Sequence, residues 1–505
     1  MSDPFDLLVI GGGINGAGIA RDAAGRGLRV LLCERGDLAE HTSSASTKLI
    51  HGGLRYLEQY EFRLVREALA ERERLMRLAP HIVWPLRFVL PYDAGLRPAW
   101  MLRLGLFLYD HLTRLKTLPG STSLRLDRDA AGVPLQKRLT RGFAYSDCWV
   151  EDSRLVVLNA LDAAERGAQI RTRTAVESAR RDEGAWTVTL YDTDKRRRES
   201  VRARVVVNAA GPWVGETLLR TLAVEARPKV RLVKGSHIVV RRLYEGDQAY
   251  ILQQPDRRIV FAIPYERDFT LIGTTDVAHE GGPGPVVISA QETRYLCACI
   301  NRSFERQIGP DDVVWSFSGL RPLYDDDAAA NASAVTRDYV LELDTDGPPV
   351  LSVFGGKITT YRRLAEHALD RLGPHLPGLK PPWTGTAPLP GGDMDGANFE
   401  RFLARLVAER PFLPAATARR LARAYGTRLE HLLGDARALS DLGETFGGDL
   451  SAREVDYLVR HEWARTPDDI LWRRSKLGLR SGRADVARLG RALANPSADP
   501  GAQRP

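Results

Sequence analysis

The sequence predicts an α/β protein with an N-terminal Rossmann-like dinucleotide-binding domain, an antiparallel-sheet substrate domain and a helical C-terminal domain. Three observations carry this. The chain opens on a short apolar run that ends in a Gly-x-Gly-x-x-Gly turn, "FDLLVIGGGINGAGIARDAAGRG" (5–27). Its middle is rich in β-branched runs separated by turn residues, and its last hundred residues follow a stretch crowded with Pro and Gly. At 505 residues the chain exceeds what one hydrophobic core organises, so two or three domains are expected.

In chain order, "FDLLVI" (5–10) reads as a buried parallel strand, 14–27 as a helix and "LRVLLCE" (28–34) as a second buried strand. Gly11 provides the tight turn, Gly13 lets backbone approach a pyrophosphate, and Gly16 allows close helix–strand packing. The following helix start offers unpaired N–H groups and a positive dipole end to phosphates. Glu34, at the end of the second strand, suits both ribose hydroxyls and repels a 2′-phosphate. Residues 60–79 form an amphipathic helix, and the alternating Arg and Glu of 66–80 read as a solvated face. "PAWMLRLGLFLYDHLTRLK" (98–116) is too short to span a bilayer and reads as a core helix, with a helix lying in a membrane surface as the alternative. The runs 185–191, 230–242, 257–265 and 269–276 predict an antiparallel sheet, hence a second domain, while "ARVVVNAAGPW" (203–213) returns to the parallel sheet. Residues 377–396 read as a linker, 397–494 as a helical domain in which Thr466 caps a helix opening on Pro467, and 495–505 as a disordered tail.

Composition narrows the function classes. Net charge is +8 and the pI near 9.3, which suits phosphorylated substrates, anionic lipid or nucleic acid alike. No basic stripe with interleaved aromatics is present, so nucleic acid is not expected as a partner. The four cysteines, at 33, 148, 297 and 299, lack zinc-site spacing and read as ordinary buried thiols; no metal is expected. No secretory signal or membrane-spanning run is visible, which points to a cytoplasmic protein.

The segments "TSSASTKLIHGGLRYLEQYEFRLVREALAERE", "GFAYSDCWVEDSRLV", "KGSHIVV", "IGTTD", "SGLRPL" and "SVFGGKITTYRRLAEHAL", collinear with the glycine-rich start, closely resemble bacterial FAD-dependent respiratory glycerol-3-phosphate dehydrogenases. The resemblance covers roughly 5–370 closely and continues more loosely through the C-terminal helices. It implies a non-covalent FAD, oxidation of glycerol 3-phosphate to dihydroxyacetone phosphate by hydride transfer to flavin N5, and electrons passed to membrane quinone. It further implies a homodimer held peripherally at the cytoplasmic membrane. Residues 1–376 would form the oxidoreductase region, with FAD bound by about 1–80, 145–215 and 345–376 and substrate mainly by 216–344.

By that similarity the cofactor would meet Gly11, Gly13, Ile14, Asn15, Gly16, Glu34 and Arg35 at the adenosine end. Ser43, Ser44, Ser46, Thr47 and Lys48 would line the run toward pyrophosphate and flavin, followed by His51, Gly52 and Gly53. Val176, Ala209 and Gly211 would flank it, and Gly355, Gly356, Lys357 and Thr359 would approach the flavin, the two glycines bringing N–H groups to its pyrimidine edge. For the phosphate, Arg55 and Arg321 each follow a glycine turn and offer planar bidentate donors, with Tyr56 as a neutral donor. His237 is the expected base, with His51 as its rival, and Lys357 would bind the substrate oxygen or the charge of the reduced flavin. Asp276 reads as a turn or capping carboxylate. An amine or amino-acid oxidase on the same fold would use these cations for a carboxylate instead.

Overall fold

A computed structural model describes residues 4–54, 57, 60–93, 98–113, 117–224, 230–324 and 338–494. Two sheets dominate it. In the first, the strand Phe5–Ile10 lies between Val30–Cys33 and Arg197–Asn208, parallel to both, and Val350–Phe354 and Gln169–Arg171 extend the parallel array outward. Leu7, Leu8, Val9, Leu31, Leu32, Val205, Val206 and Val207 are fully buried, as strands covered on both faces require. The helix Ile14–Gly25 packs between Asp152–Glu165 and Tyr361–Leu372. Its small residues permit this: a Cβ on Gly18 would stand 2.8 Å from the Tyr361 ring.

The run at Ala185–Asp192 does not join the second domain. It pairs antiparallel with Arg197–Asn208 and Thr174–Asp182, forming a meander on the first sheet. A hairpin onto an outer stretch of a parallel strand satisfies its backbone as well as a separate sheet would, and periodicity cannot separate the two.

The second sheet is mixed and mostly antiparallel. Val230–Arg241 lies near one edge of it, flanked by Phe269–Gly273 on one side and Val313–Tyr324 on the other. It also takes strands from the first third of the chain, Val83–Pro91 and Arg141–Val150, joined through the parallel pairing of Ala249–Gln253 with Val83–Pro91.

Two expectations for the helices need correction. On Phe62–Leu78, Glu71, Arg72 and Glu73 are buried, not solvated. Arg362 donates to both Glu71 oxygens at 2.7 Å and Arg72 donates to Asp147 at 2.8 Å, so ion pairing makes a charged helix face an interior one. The helix Ala99–His111 buries only Leu106 and Tyr109, leaving Trp100 67%, Leu104 50% and Phe107 51% exposed; it is not a core helix.

Residues 376–394 contain no helix or strand. They run as a strap over the first helix: Trp383 Nε1 donates to Asp22 O at 3.1 Å, and Arg21 donates to Ala387 O at 3.0 Å. The C-terminal helices then enclose their own core around Leu403, Leu421, Leu432, Leu458 and Ile470. Thr466 caps as expected, its Oγ1 accepting from Asp469 N while Asp469 accepts from Thr466 N. All four cysteines are free and buried. The tail 495–505 lies outside the described residues.

Candidate functional site

The first wall of the site grows from the carboxyl ends of three parallel strands, where Ile10 pairs with both Cys33 and Asn208. Crevices beyond such ends are where doubly wound sheets bind ligands. Gly11 has φ +111°, and a Cβ there would stand 2.5 Å from Ala209 O; one on Gly16 would stand 1.9 Å from Gly11 O. The turn is therefore closed to any side chain. Glu34 accepts from Gly12 N at 2.6 Å and Gly36 N at 2.8 Å, and burial pushes its carboxyl above the usual range against those two donors. Ile14 N donates to Ser43 Oγ at 3.0 Å, and Gly13 takes the N-cap position with no side chain to fill it. Asn15 Nδ2 donates to Gly355 O at 3.1 Å, while its buried Oδ1 has no protein partner. A helix start built of glycines beside one serine hydroxyl, an acid at the second strand's end and an orphaned amide oxygen together fit a dinucleotide such as FAD. Nearby, Arg35 lies over the Trp213 ring at 4.1 Å, Gly211 turns at φ +56°, and Val176 packs partly buried beside the cluster of Ile10 and Cys33.

The side chains of the segment 42–53 divide among several protein partners. Thr42 Oγ1 donates to Leu320 O at 2.7 Å, and Ser44 Oγ donates to its own turn at His41 O. Ser46 Oγ donates to Asp152 at 2.7 Å. Lys48 is fully buried with φ +60°, and its ammonium donates to both Asp152 oxygens, at 2.8 and 2.9 Å, and to Ser44 O at 3.0 Å. All three of its hydrogens are used, so Lys48 is bound to protein rather than turned toward a phosphate. Thr47, between them, bonds His237 Nε2 at 3.0 Å. Gly52 N donates to Tyr109 Oη at 2.7 Å within a buried Arg72–Asp147–Tyr109 network, and Gly53 turns at φ +76°. Arg55 and Tyr56 lie outside the described residues.

The second wall is one face of the second sheet. His237 pairs with Phe317, Gly235 with Gly319 and Val233 with Arg321, so these side chains share a face. Three glycines clear it. A Cβ on Gly235 would stand 2.4 Å from Arg321 Nη2, one on Gly273 2.1 Å from His237 Cδ2, and one on Gly319 2.8 Å from Ala45 Cβ. The guanidinium and the imidazole thus lie against bare backbone, and the 42–48 loop meets this face at Thr42, Ala45 and Thr47. His237 is buried and stacked on Phe317 (centroids 4.7 Å, 14°), and its Nδ1 has no protein partner. Burial, then Arg321, then Lys48 hold it well below the usual imidazole range, so it is neutral at neutral pH. Arg321 pairs with Asp276 and donates to Thr274 Oγ1 at 3.0 Å. Asp276 is thus an ion-pair partner, not a cap.

A third element completes the site. Gly355 (φ +72°) and Gly356 (φ +99°) lead to half-buried Lys357 and the turn Ile358–Thr360. His51 N donates to Thr359 Oγ1 at 3.3 Å; burial lowers the His51 pKa, opposed by Asp147 and reinforced by Lys357 and Arg72. Among the described candidates, His237, Arg321 and Thr47 stand together on one side, and His51, Lys357 and Thr359 on the other. Sequence reasoning missed Asp152, Thr274, Phe317 and the floor glycines. Only the glycines left a signal, each sitting inside a strand pattern, where Gly marks a close approach.

The FAD dependent oxidoreductase family matches residues 6–362, and the C-terminal domain of alpha-glycerophosphate oxidase matches 383–495. The chain is 55% identical to a glycerol-3-phosphate dehydrogenase of Pseudomonas aeruginosa, covering 98% of this chain and 96% of that one. It is 53% identical to a D-erythritol 1-phosphate dehydrogenase of Brucella abortus, covering 94% and 95%. Its structure is similar to the X-ray structure of glycerol-3-phosphate dehydrogenase from Bacillus halodurans complexed with FAD, with TM-score 0.76, 28% identity and coverage of 98% and 94%.

Proposed function

The chain belongs to the FAD-dependent oxidoreductase family, among the glycerol-3-phosphate dehydrogenases, and from that premise we propose that it oxidises sn-glycerol 3-phosphate to dihydroxyacetone phosphate and delivers the electrons to membrane quinone. It is an FAD enzyme, and bound FAD supplies the two-electron acceptor for the hydride leaving C2. The observation that carries the reading is the pairing, on one glycine-cleared sheet face, of a neutral buried imidazole with a half-exposed guanidinium.

Arg321 anchors the phosphate, joined by Arg55 and Tyr56, and Lys357 binds the substrate oxygen or the charge of the reduced flavin. His237 takes the hydroxyl proton at Nδ1, whose lone pair stays free at neutral pH because burial and two cations oppose protonation. Thr47 holds the other ring nitrogen. Asn15, Ser43 and the glycine turns at 11–16 and 355–356 hold the cofactor. The division into an oxidoreductase region, 1–376, and a helical domain, 397–494, belongs to the same proposal.

No helix among the described residues is long and apolar enough to cross a membrane. The helix Ala99–His111, with Trp100, Met101, Leu104 and Phe107 outward, is proposed to rest in the cytoplasmic leaflet and bring the enzyme, as a homodimer, to its quinone. Because a D-erythritol 1-phosphate dehydrogenase is nearly as similar as the glycerol-3-phosphate dehydrogenase, a longer polyol phosphate is the second reading.

The test is anaerobic flavin bleaching of the holoenzyme by sn-glycerol 3-phosphate, D-erythritol 1-phosphate, glycerol and glycine. Fastest bleaching by glycerol 3-phosphate supports the proposal, and fastest bleaching by the four-carbon phosphate selects the second reading. Bleaching by glycine alone overturns both.

A further inference from the structure

One turn of the C-terminal region reaches the active site by two separate chains of contacts. Along the first, the Trp472 indole stacks on Trp315 (centroids 4.3 Å, 18°). Trp315 lies 5.0 Å from Phe317, and Phe317 stacks on His237 at 4.7 Å. Trp315 and Phe317 alternate on one strand and so share its face. Trp472 has no slack, since a Cβ on Gly478 would stand 2.4 Å from its ring. The second chain is polar and runs through buried Lys476, Ser153, Asp152 and Lys48. Lys476, 4% exposed, donates to Trp472 O and to Ser153 Oγ at 3.1 Å. Ser153 N donates to Asp152 Oδ1 at 2.9 Å, and Asp152 binds Lys48 and Ser46. Both chains end on the same bond, because Thr47, between Ser46 and Lys48, holds His237 Nε2.

We infer that Trp472 and Lys476 are positioning residues for the oxidation, and that the C-terminal helical region sets the placement of His237 and of the 42–48 loop. The inference rests on the reading of His237 as the proton acceptor. Neither residue hydrogen-bonds to or stacks on His237; each acts through packed or bonded neighbours, and Lys476 also feels the Lys48 charge. Proton and hydride transfer depend steeply on such placement, with misplacement by about 1 Å costing on the order of 100-fold. The same interface has contacts off both chains, such as Arg428, which donates to Glu165 at 2.5 Å and to Tyr457 Oη at 3.0 Å.

The test compares holoenzymes carrying Trp472→Ala, Trp472→Phe, Lys476→Met and Arg428→Gln. Two quantities are read: the flavin reduction rate at saturating glycerol 3-phosphate, and amide hydrogen exchange over residues 42–50. Trp472→Ala and Lys476→Met should slow reduction about 10-fold with the half-saturating concentration little changed, and should speed exchange over 42–50. Trp472→Phe should restore both, and Arg428→Gln should alter neither. Native exchange over 42–50 in Trp472→Ala and Lys476→Met overturns the inference, as does equal acceleration by Arg428→Gln. Should Trp472→Ala not fold, Trp472→Phe and Lys476→Met decide. Exchange needs no substrate, so failure of glycerol 3-phosphate to bleach the native enzyme sinks the proposed function and leaves the positioning role to be judged by exchange alone.

Discussion

Two cation–carboxylate pairs flank His237, and they differ in everything but charge. Lys48 and Asp152 are both 0% exposed, and each ammonium hydrogen has an acceptor. Arg321 and Asp276 have side chains 36% and 32% exposed, and Arg321 meets its partners through Nη1 and Nη2. The closed pair locks the loop that reaches His237. The open pair can exchange one anion for another, which a phosphate anchor must do. Solvation, not residue type, assigns the roles.

The largest break in this comparison is Asp152→Ala. It strands a buried ammonium and should cost about 3–5 kcal/mol of unfolding free energy by urea denaturation, whereas Asp276→Ala should cost under about 1 kcal/mol. Equal losses would erase the distinction. Arg321→Ala should reverse the order in the assay, lowering kcat/KM about 100-fold, about 2.7 kcal/mol, chiefly through KM, while stability moves by less than about 1 kcal/mol.

A buried group with no counter-charge sharpens the contrast. His81 is fully buried, and burial, then Arg154 and Arg423, hold it down to about 3 against a backbone hydrogen bond at Pro390. The folded state refuses a proton that the unfolded chain takes near pH 6.5. Stability is therefore complete above that pH and falls by about 1.4 kcal/mol per unit below it. Between pH 6.5 and 5 the native protein should lose about 2 kcal/mol more than His81→Leu does. The smallest effect is expected for Asp276→Asn, which should lower the half-saturating substrate concentration by about 3-fold by relieving competition for Arg321.

These contrasts also mark where the sequence was readable. The nucleotide-binding start was legible because its signals are local: an apolar run, glycines at fixed spacing and Glu34 all fall within thirty residues. The candidate residues His237, Arg321 and Lys357 could be picked out, but their neighbours could not, since each contact closes over long separation. The resemblance sets Lys48 in the run toward pyrophosphate and flavin, and its ammonium is found on Asp152, about a hundred residues away. Glu71 and Arg72 read as solvated until Arg362 and Asp147 cover them. Charged residues carry no periodic mark of burial, whereas apolar ones do. Ala99–His111 failed the opposite way: its apolar pattern suggests a core helix, but only one face packs on the core, through Leu102, Leu106 and Tyr109, and Trp100, Leu104 and Phe107 stay exposed.

The open Arg321 pair, beside neutral His237, is the proposed phosphate anchor. Equilibrium titration of the oxidised holoenzyme with dihydroxyacetone phosphate, followed by the flavin absorption shift, tests it without turnover. Arg321→Ala should bind on the order of 100-fold more weakly than native, and Asp276→Asn no more weakly. Native-like binding by Arg321→Ala would contradict it.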